Sequence, residues 1–289
     1  RGGVGTLLDS NIIHGDIKSG NVLRDDKSVG RIIDWGLSGV VDRSNDIPYS
    51  ISWRPIQYNV PWSCVALTER FENHFNEIFD RTPAGKLLVD GLISKHIEKY
   101  ISTDRIKGHT SVVHRNFRST YGCGSTDDER TRCRRVTTQM MVDYIRRAMT
   151  DGMTMNGDRY KYDAKKVFNG AFRHNCDIWG VLTIYEDILH SINYALSDEN
   201  RSVKTPELVE RHRKVRALRS DLRDNIILIY IYSGMSSQQT ISLKHLVGDL
   251  RGLDRHLDMV STPNTIPIPT KKQSVKQSVK QSVKQSVKQ

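Results

Sequence analysis

Apolar residues recur along this chain at two spacings. Near the start, Val22-Leu23 and Ile32-Ile33 flank the polar run Arg24-Asp25-Asp26-Lys27-Ser28, which predicts a short hairpin between two loops. Further on, helical spacing takes over. Leu67, Phe71, Phe75, Ile78 and Phe79 form one stripe, Leu87, Leu88, Leu92, Ile97 and Ile101 a second, and Met140, Met141, Tyr144, Ile145 and Met149 a third. Ile178, Val181, Leu182, Tyr185, Ile188, Leu189 and Ile192 predict a buried or amphipathic helix, and Leu243, Leu246, Val247, Leu250, Leu253 and Leu257 mark the last packed one. By periodicity alone these are all packing faces.

With 289 residues, 37% of them hydrophobic, the chain can bury a sizeable core. The longest apolar run, Ile226 to Tyr232, falls far short of the roughly 20 residues a bilayer helix needs, so no membrane span is expected. Cys64, Cys123, Cys133 and Cys176 form no C-x-x-C pair and no zinc spacing, which makes reduced thiols and an intracellular, cytoplasmic setting the default. His174 beside Cys176 reads as structural rather than as a metal ligand. The formal net charge of +11 drops to +5 without the six lysines of the tail, where Lys-Gln-Ser-Val repeats to Gln289 with no apolar content to support a core. That tail is expected to be disordered, with only weak, non-specific attachment to nucleic acid.

The chemistry lies in His14-Gly15-Asp16-Ile17-Lys18-Ser19-Gly20-Asn21 and Asp34-Trp35-Gly36. A carboxylate can orient an attacking hydroxyl and accept its proton, while an amide oxygen and a second carboxylate can share hard magnesium ions that bridge phosphates. Lys18, two residues beyond Asp16 on an extended loop, can point into the same cleft and balance charge on a transferred phosphoryl group.

These residues resemble the catalytic lobe of eukaryotic-type serine/threonine protein kinases, whose H-R-D-L-x-x-x-N and D-F-G motifs they match. The resemblance implies an α+β, protein-kinase-like fold with a mainly α-helical C-lobe, ATP and Mg2+ as cofactors, and a protein substrate. It makes Asp16 the catalytic base, Lys18 a catalytic and phosphate-contacting lysine, and Asn21 and Asp34 the magnesium ligands. Trp35 replaces the family's Phe as the aromatic that packs into the lobe. Gly15 replaces an Arg that pairs with an activation-loop phosphate, which implies activity that does not wait for phosphorylation. Asp177, opening the Asp177-Ile178-Trp179-Gly180 helix, is expected to hydrogen-bond the catalytic-loop backbone.

The string from Ser52 to Trp62 resembles the end of a kinase activation segment, with Gln57 where an ion-pairing Glu is usual, and its wording most resembles divergent kinases of large DNA viruses, which would place it in host cytoplasm. Arg54 and Tyr58 are expected to shape substrate docking there. The His-Gly-Asp and Ile-Asp-Trp-Gly strings also resemble small-molecule phosphotransferases of the aminoglycoside and choline kinase type, which is the rival reading. A non-catalytic, kinase-like scaffold is the third.

The expected organisation is a catalytic loop and activation segment over 1–63, a largely helical, basic insert over 64–175, the remaining lobe helices over 176–261, and the tail over 262–289. Arginines outnumber acids in the insert, which suits an acidic partner, although a charged run is usually a solvated face. No G-x-G-x-x-G strand followed by V-A-I-K occurs, so the N-lobe is expected to lie elsewhere, and this chain alone is expected to bind ATP poorly.

Overall fold

The structure, a computed structural model, describes residues 3–27, 29–81, 86–102, 107–157, 159–199 and 205–260. The repeat tail lies outside the described residues, as do Ser28, Arg105 and the side chains of Leu87, Leu88, Lys107 and Leu257.

After α1 (Val4–Asp9), four short strands set up everything that follows. Strand β1 (Ile12–Ile13) pairs antiparallel with β4 (Gly39–Val40), and between them β2 (Val22–Arg24) pairs with β3 (Gly30–Ile32) in the expected hairpin, Leu23 opposite Arg31. The pairs are nested in sequence. Residues 14–21 leave β1 and enter β2, residues 33–38 leave β3 and enter β4, and the two loops must therefore emerge side by side.

The rest is mostly helical: α2 (Tyr49–Ser52), a 3-10 turn (Trp62–Leu67), α3 (Glu69–Arg81), α4 (Lys86–Ile101), α5 (Lys107–Tyr121) and α6 (Asp127–Gly152). A hairpin of β5 (Met153–Asn156) and β6 (Arg159–Tyr162) follows, then α7 (Ala164–Val167), α8 (Arg173–Glu199), α9 (Pro206–Asp221), a π-type stretch (Leu222–Tyr232) and α10 (Leu243–Val260). The hairpin was not foreseen. It is held to α3 by Asn76, whose side chain accepts from the Tyr162 amide at 2.9 Å and donates to the Tyr162 carbonyl at 3.3 Å.

Spacing explains which faces are buried. Phe71, Phe75 and Phe79 repeat every four residues and all lie inside, whereas on α4 the buried row is Ile93, Ile97 and Ile101, with Leu92 only half-buried. On α8, Ile178, Leu182 and Leu189 are buried, but Ile188 is exposed and Val181, seven residues earlier on the same flank, is half-buried. Helix α6 starts at a reciprocal cap in which the Thr126 hydroxyl accepts from the Glu129 amide and the Glu129 carboxylate accepts from the Thr126 amide. One continuous core runs through these helices. At its centre the wholly buried Trp179 of α8 meets Trp62 and Tyr144 edge-on, each ring centroid 5.4 Å away, so the segment after α2, α6 and α8 lock onto one another.

The cysteines depart from the expected uniform set of thiols. Cys123 and Cys133 are joined in a disulfide that closes the turn between α5 and α6, while Cys64 and Cys176 are buried and free. Ten residues of separation carry no recognisable motif, which is why spacing alone missed the pair. Among the described residues no helix is long and apolar enough to cross a membrane.

Candidate active site

The nested strands bring the two loops together, and a histidine joins them. His14 is fully buried; its Nδ1 accepts from the Asp16 amide at 3.2 Å, which leaves Nε2–H to donate to the Ile33 carbonyl at 3.1 Å. The Ile33 amide in turn donates to the Asn21 carbonyl at 2.9 Å. Asp34 therefore follows directly on a residue bonded to Asn21. It sits at φ 65°, ψ 70°, a left-handed conformation that Asp tolerates better than most residues but that still costs on the order of 1 kcal/mol.

From the other side α8 clamps the loop. Asp177 Oδ2 accepts from the His14 amide and Oδ1 from the Gly15 amide, both at 2.8 Å, as expected of an acid at the start of this helix. Burial raises the Asp177 pKa, and those two amides and the nearby Arg54 charge pull against it. Gly180, one turn on, lets the helix approach: a Cβ there would lie 2.7 Å from both the Cβ and the carbonyl oxygen of Ile17.

Asp16 lies at the centre, 7% exposed. Its Oδ2 accepts from Lys18 Nζ at 2.7 Å and from Asn21 Nδ2 at 3.0 Å, and its Oδ1 accepts from Asn59 Nδ2 at 2.8 Å. Burial pushes the Asp16 carboxyl upward, but the bonds from Lys18 and Asn59 and the charges of Lys18 and Arg54 outweigh it and hold the pKa below the ordinary value. It is thus an ionised, oriented acceptor for a proton. Asn21 spends its amide N–H2 on Asp16 and keeps its oxygen for another partner, and Asp34 is an exposed carboxylate.

A phosphotransferase family model matches this region. Described as the phosphotransferase enzyme family, it covers residues 6–81, which span both loops and run to the end of α3. No curated protein and no solved structure matches the chain. The matched stretch carries every site residue singled out by sequence, Asp16, Lys18, Asn21 and Asp34, and supports a kinase-like phosphotransferase domain.

Two placements differ from expectation, those of Arg54 and Trp35, and a third, that of Gln57, follows from its residue type. Arg54 is no docking residue: 1% exposed, it donates from Nε to the Ser50 carbonyl at 2.8 Å, from Nη2 to the Leu37 carbonyl at 3.2 Å, and from Nη1 to the Gly15 carbonyl. It occupies the space a side chain at Gly15 would need, since a Cβ there would meet the guanidinium at 3.2 Å. Trp35 does not pack into the interior; it is 46% exposed and touches His14 edge-on at 4.7 Å. Gln57 leaves its buried Oε1 without a hydrogen-bond partner among the described residues, the visible consequence of an amide in place of an acid.

Asn59 and His109 carried no recognisable signal. Asn59 is one polar residue in an apolar run, and His109 is an isolated histidine nearly a hundred residues from the catalytic loop. Yet α5 lays the His109 ring on Tyr58, centroids 6.1 Å apart and nearly parallel. Burial lowers the His109 pKa, the Lys18 charge lowers it further, and Asp16 opposes both, so a neutral imidazole faces Asp16 and Lys18. The residues for a divalent cation also fit. Among the described residues no three His, Cys, Asp or Glu side chains form a closed cage, but magnesium needs only one or two protein oxygens when phosphates complete its shell.

Proposed function

We propose that this chain carries the catalytic side of an ATP-dependent serine/threonine protein kinase. The observation that carries the reading is the Asp16 carboxylate held at 2.7 Å by Lys18 and at 3.0 Å by Asn21, on a loop tied to the one bearing Asp34. Asn21 and Asp34 would hold Mg2+, which neutralises phosphate charge and orients the terminal phosphoryl group. Asp16 takes the proton of the acceptor hydroxyl as its oxygen bonds to phosphorus. The bond from phosphorus to the bridging oxygen breaks, and ADP departs with the electron pair. Lys18 then serves both partners, fixing Asp16 and facing the charge on the moving group.

Exposed apolar side chains surround this half-site: Leu23, Ile33, Trp35 and Val40. We infer that further polypeptide packs on them to complete nucleotide binding. The family match favours a second reading, a small-molecule phosphotransferase, since those enzymes share the same loop strings.

Labelled ATP and magnesium separate the readings, with a serine-rich protein in one tube and aminoglycosides or choline in another. Label in protein, reduced about 10²- to 10⁴-fold by Asp16→Asn, is the expected result. Asp34→Ala should raise the magnesium requirement. Label in the small molecules alone overturns the kinase, and label in neither, from a chain folded by circular dichroism, rejects catalysis by these residues on their own.

A further inference from the structure

Helix α5 does more than cover Tyr58. It is fastened to α8 along its length: Asn116 Nδ2 donates to Glu186 at 3.0 Å, the Ser119 hydroxyl meets His190 Nδ1 at 3.0 Å, and Asn193 Nδ2 donates to the Ser119 carbonyl at 3.1 Å. Because α8 also grips the catalytic loop through Asp177, and through Asp187, which accepts from the Ser19 hydroxyl at 2.7 Å, α5 is held at a fixed place beside Asp16. Arg115 stands on its outer side. It adjoins Asn116, which bonds Glu186, and the next residue of α8, Asp187, holds Ser19 of the loop, so this cation stands near the edge of the cleft, where its charge opposes that of Asp187 on the Tyr58 hydroxyl.

From there positive charge continues outward. Arg118 lies one helical turn beyond Arg115, and Arg134 of α6 lies near His114, whose ring meets Thr138 of α6 at 3.3 Å. Arg115, Arg118 and Arg134 are all exposed, and none has a carboxylate within ion-pair distance among the described residues. Of the acids nearby, Asp127 pairs with Arg130, Glu129 closes the Thr126 cap and Asp143 pairs with Arg146, while Asp128 lies one turn before Arg132 and away from Arg134. Uncompensated like charges one turn apart repel, and a solvated face has no reason to begin at the mouth of a catalytic cleft.

We propose that the α5–α6 arginine face, starting at Arg115, is the docking surface for an acidic polypeptide substrate and delivers a hydroxyl flanked by acidic residues to Asp16. This rests on the protein kinase reading. Lys18 and Arg54 already balance Asp16, and beside Tyr58 the charge of Arg115 opposes that of Asp187, so beyond the wall of Tyr58 and His109 the surplus charge along α5 is positive.

Fluorescence anisotropy on the full chain tests it, with three probes of equal length: a serine peptide flanked by Asp and Glu, the same peptide flanked by Lys and Arg, and single-stranded DNA. The acidic peptide should bind best, weaken with salt, and lose at least about tenfold in affinity with Arg115→Glu or with Arg134→Glu, both exposed positions. Proton NMR locates it, because docking in the cleft must shift the His109 ring signals. Equal binding of the basic peptide, tighter binding of DNA, indifference to both substitutions, or binding that leaves His109 unmoved each overturns the proposal. Broadening of the His14 ring signals by Mn2+, abolished by Asp34→Ala, reads the phosphotransferase assignment separately, so one can fail while the other stands.

Discussion

Glu186 is buried on α8, with Tyr232 donating to one oxygen at 2.7 Å and Asn116 Nδ2 to the other at 3.0 Å. Burial pushes its pKa up from 4.5 to about 7; the two hydrogen bonds and Arg115 pull it down, and Asp187 adds to the rise. A raised carboxyl pKa means that the folded state holds a proton the unfolded chain has already released. Between the two values stability therefore falls as pH rises, and it levels off above the folded pKa. The window from 4.5 to about 7 corresponds to a loss on the order of 3 kcal/mol. Half-buried His96 and His114, both lowered to about 4, act in the opposite sense over part of this range, so only a difference between variants isolates Glu186.

Glu186→Gln makes that comparison. The amide keeps an acceptor for Tyr232 but presents N–H2 to Asn116, and the Asn116 Oδ1, buried and without a partner among the described residues, can accept it after a half-turn of the Asn116 amide. Urea unfolding followed by tryptophan fluorescence at pH 5 and pH 8 should find the variant close to wild type at the lower pH and more stable by a few kcal/mol at the higher. A difference that is the same at both pH values would refute the argument, because it would mean Glu186 does not change protonation on folding.

Arg54→Met should destabilise the chain by about 3–5 kcal/mol in the same assay, since it strips buried donors from the Gly15, Leu37 and Ser50 carbonyls. A loss below about 1 kcal/mol would mean these bonds are not made. Gly180→Ala should cost several-fold or more in any phosphotransfer activity with the helix content intact by circular dichroism, because the added methyl must push Ile17 and the catalytic loop off α8. Unchanged activity would show that the loop tolerates the shift.

The parts legible in the sequence were those that local pattern encodes. A polar turn between apolar pairs gave the hairpin, four-residue phenylalanine spacing gave α3, and the loop strings picked out Asp16, Lys18 and Asn21, which hydrogen-bond one another, and Asp34, which follows the Ile33 bonded to Asn21. What stayed hidden depends on long-range packing. The Thr126-x-x-Glu129 cap that starts α6 is readable in retrospect, but nothing in one chain says that Arg54 is buried against Gly15, that Cys123 meets Cys133, or that His109 lands on Tyr58. Arg54 is the instructive case. An arginine in a polar-aromatic loop is by default solvated, and only the empty place left by Gly15 makes room for it inside.

The remaining question is why one helix should touch so many parts of the site. Counting along α8, Asp177, Gly180 and Asp187 fall close to one stripe, and these are the residues that meet the 14–21 loop at His14, Gly15, Ile17 and Ser19. Glu186, His190 and Asn193 form the adjacent stripe, and these hold α5. Trp179 and Leu182 continue that second stripe toward the helix start and are buried, Trp179 against Trp62, three residues after the Asn59 that bonds Asp16. A helix spans about 1.5 Å per residue with little give, so contacts ten residues apart on one stripe fix the loop at both ends. The loop itself has only a three-residue 3-10 turn of regular structure. Its precision is borrowed from α8, and a substitution on that helix far from Asp16 can therefore act on the reaction without touching a reacting atom.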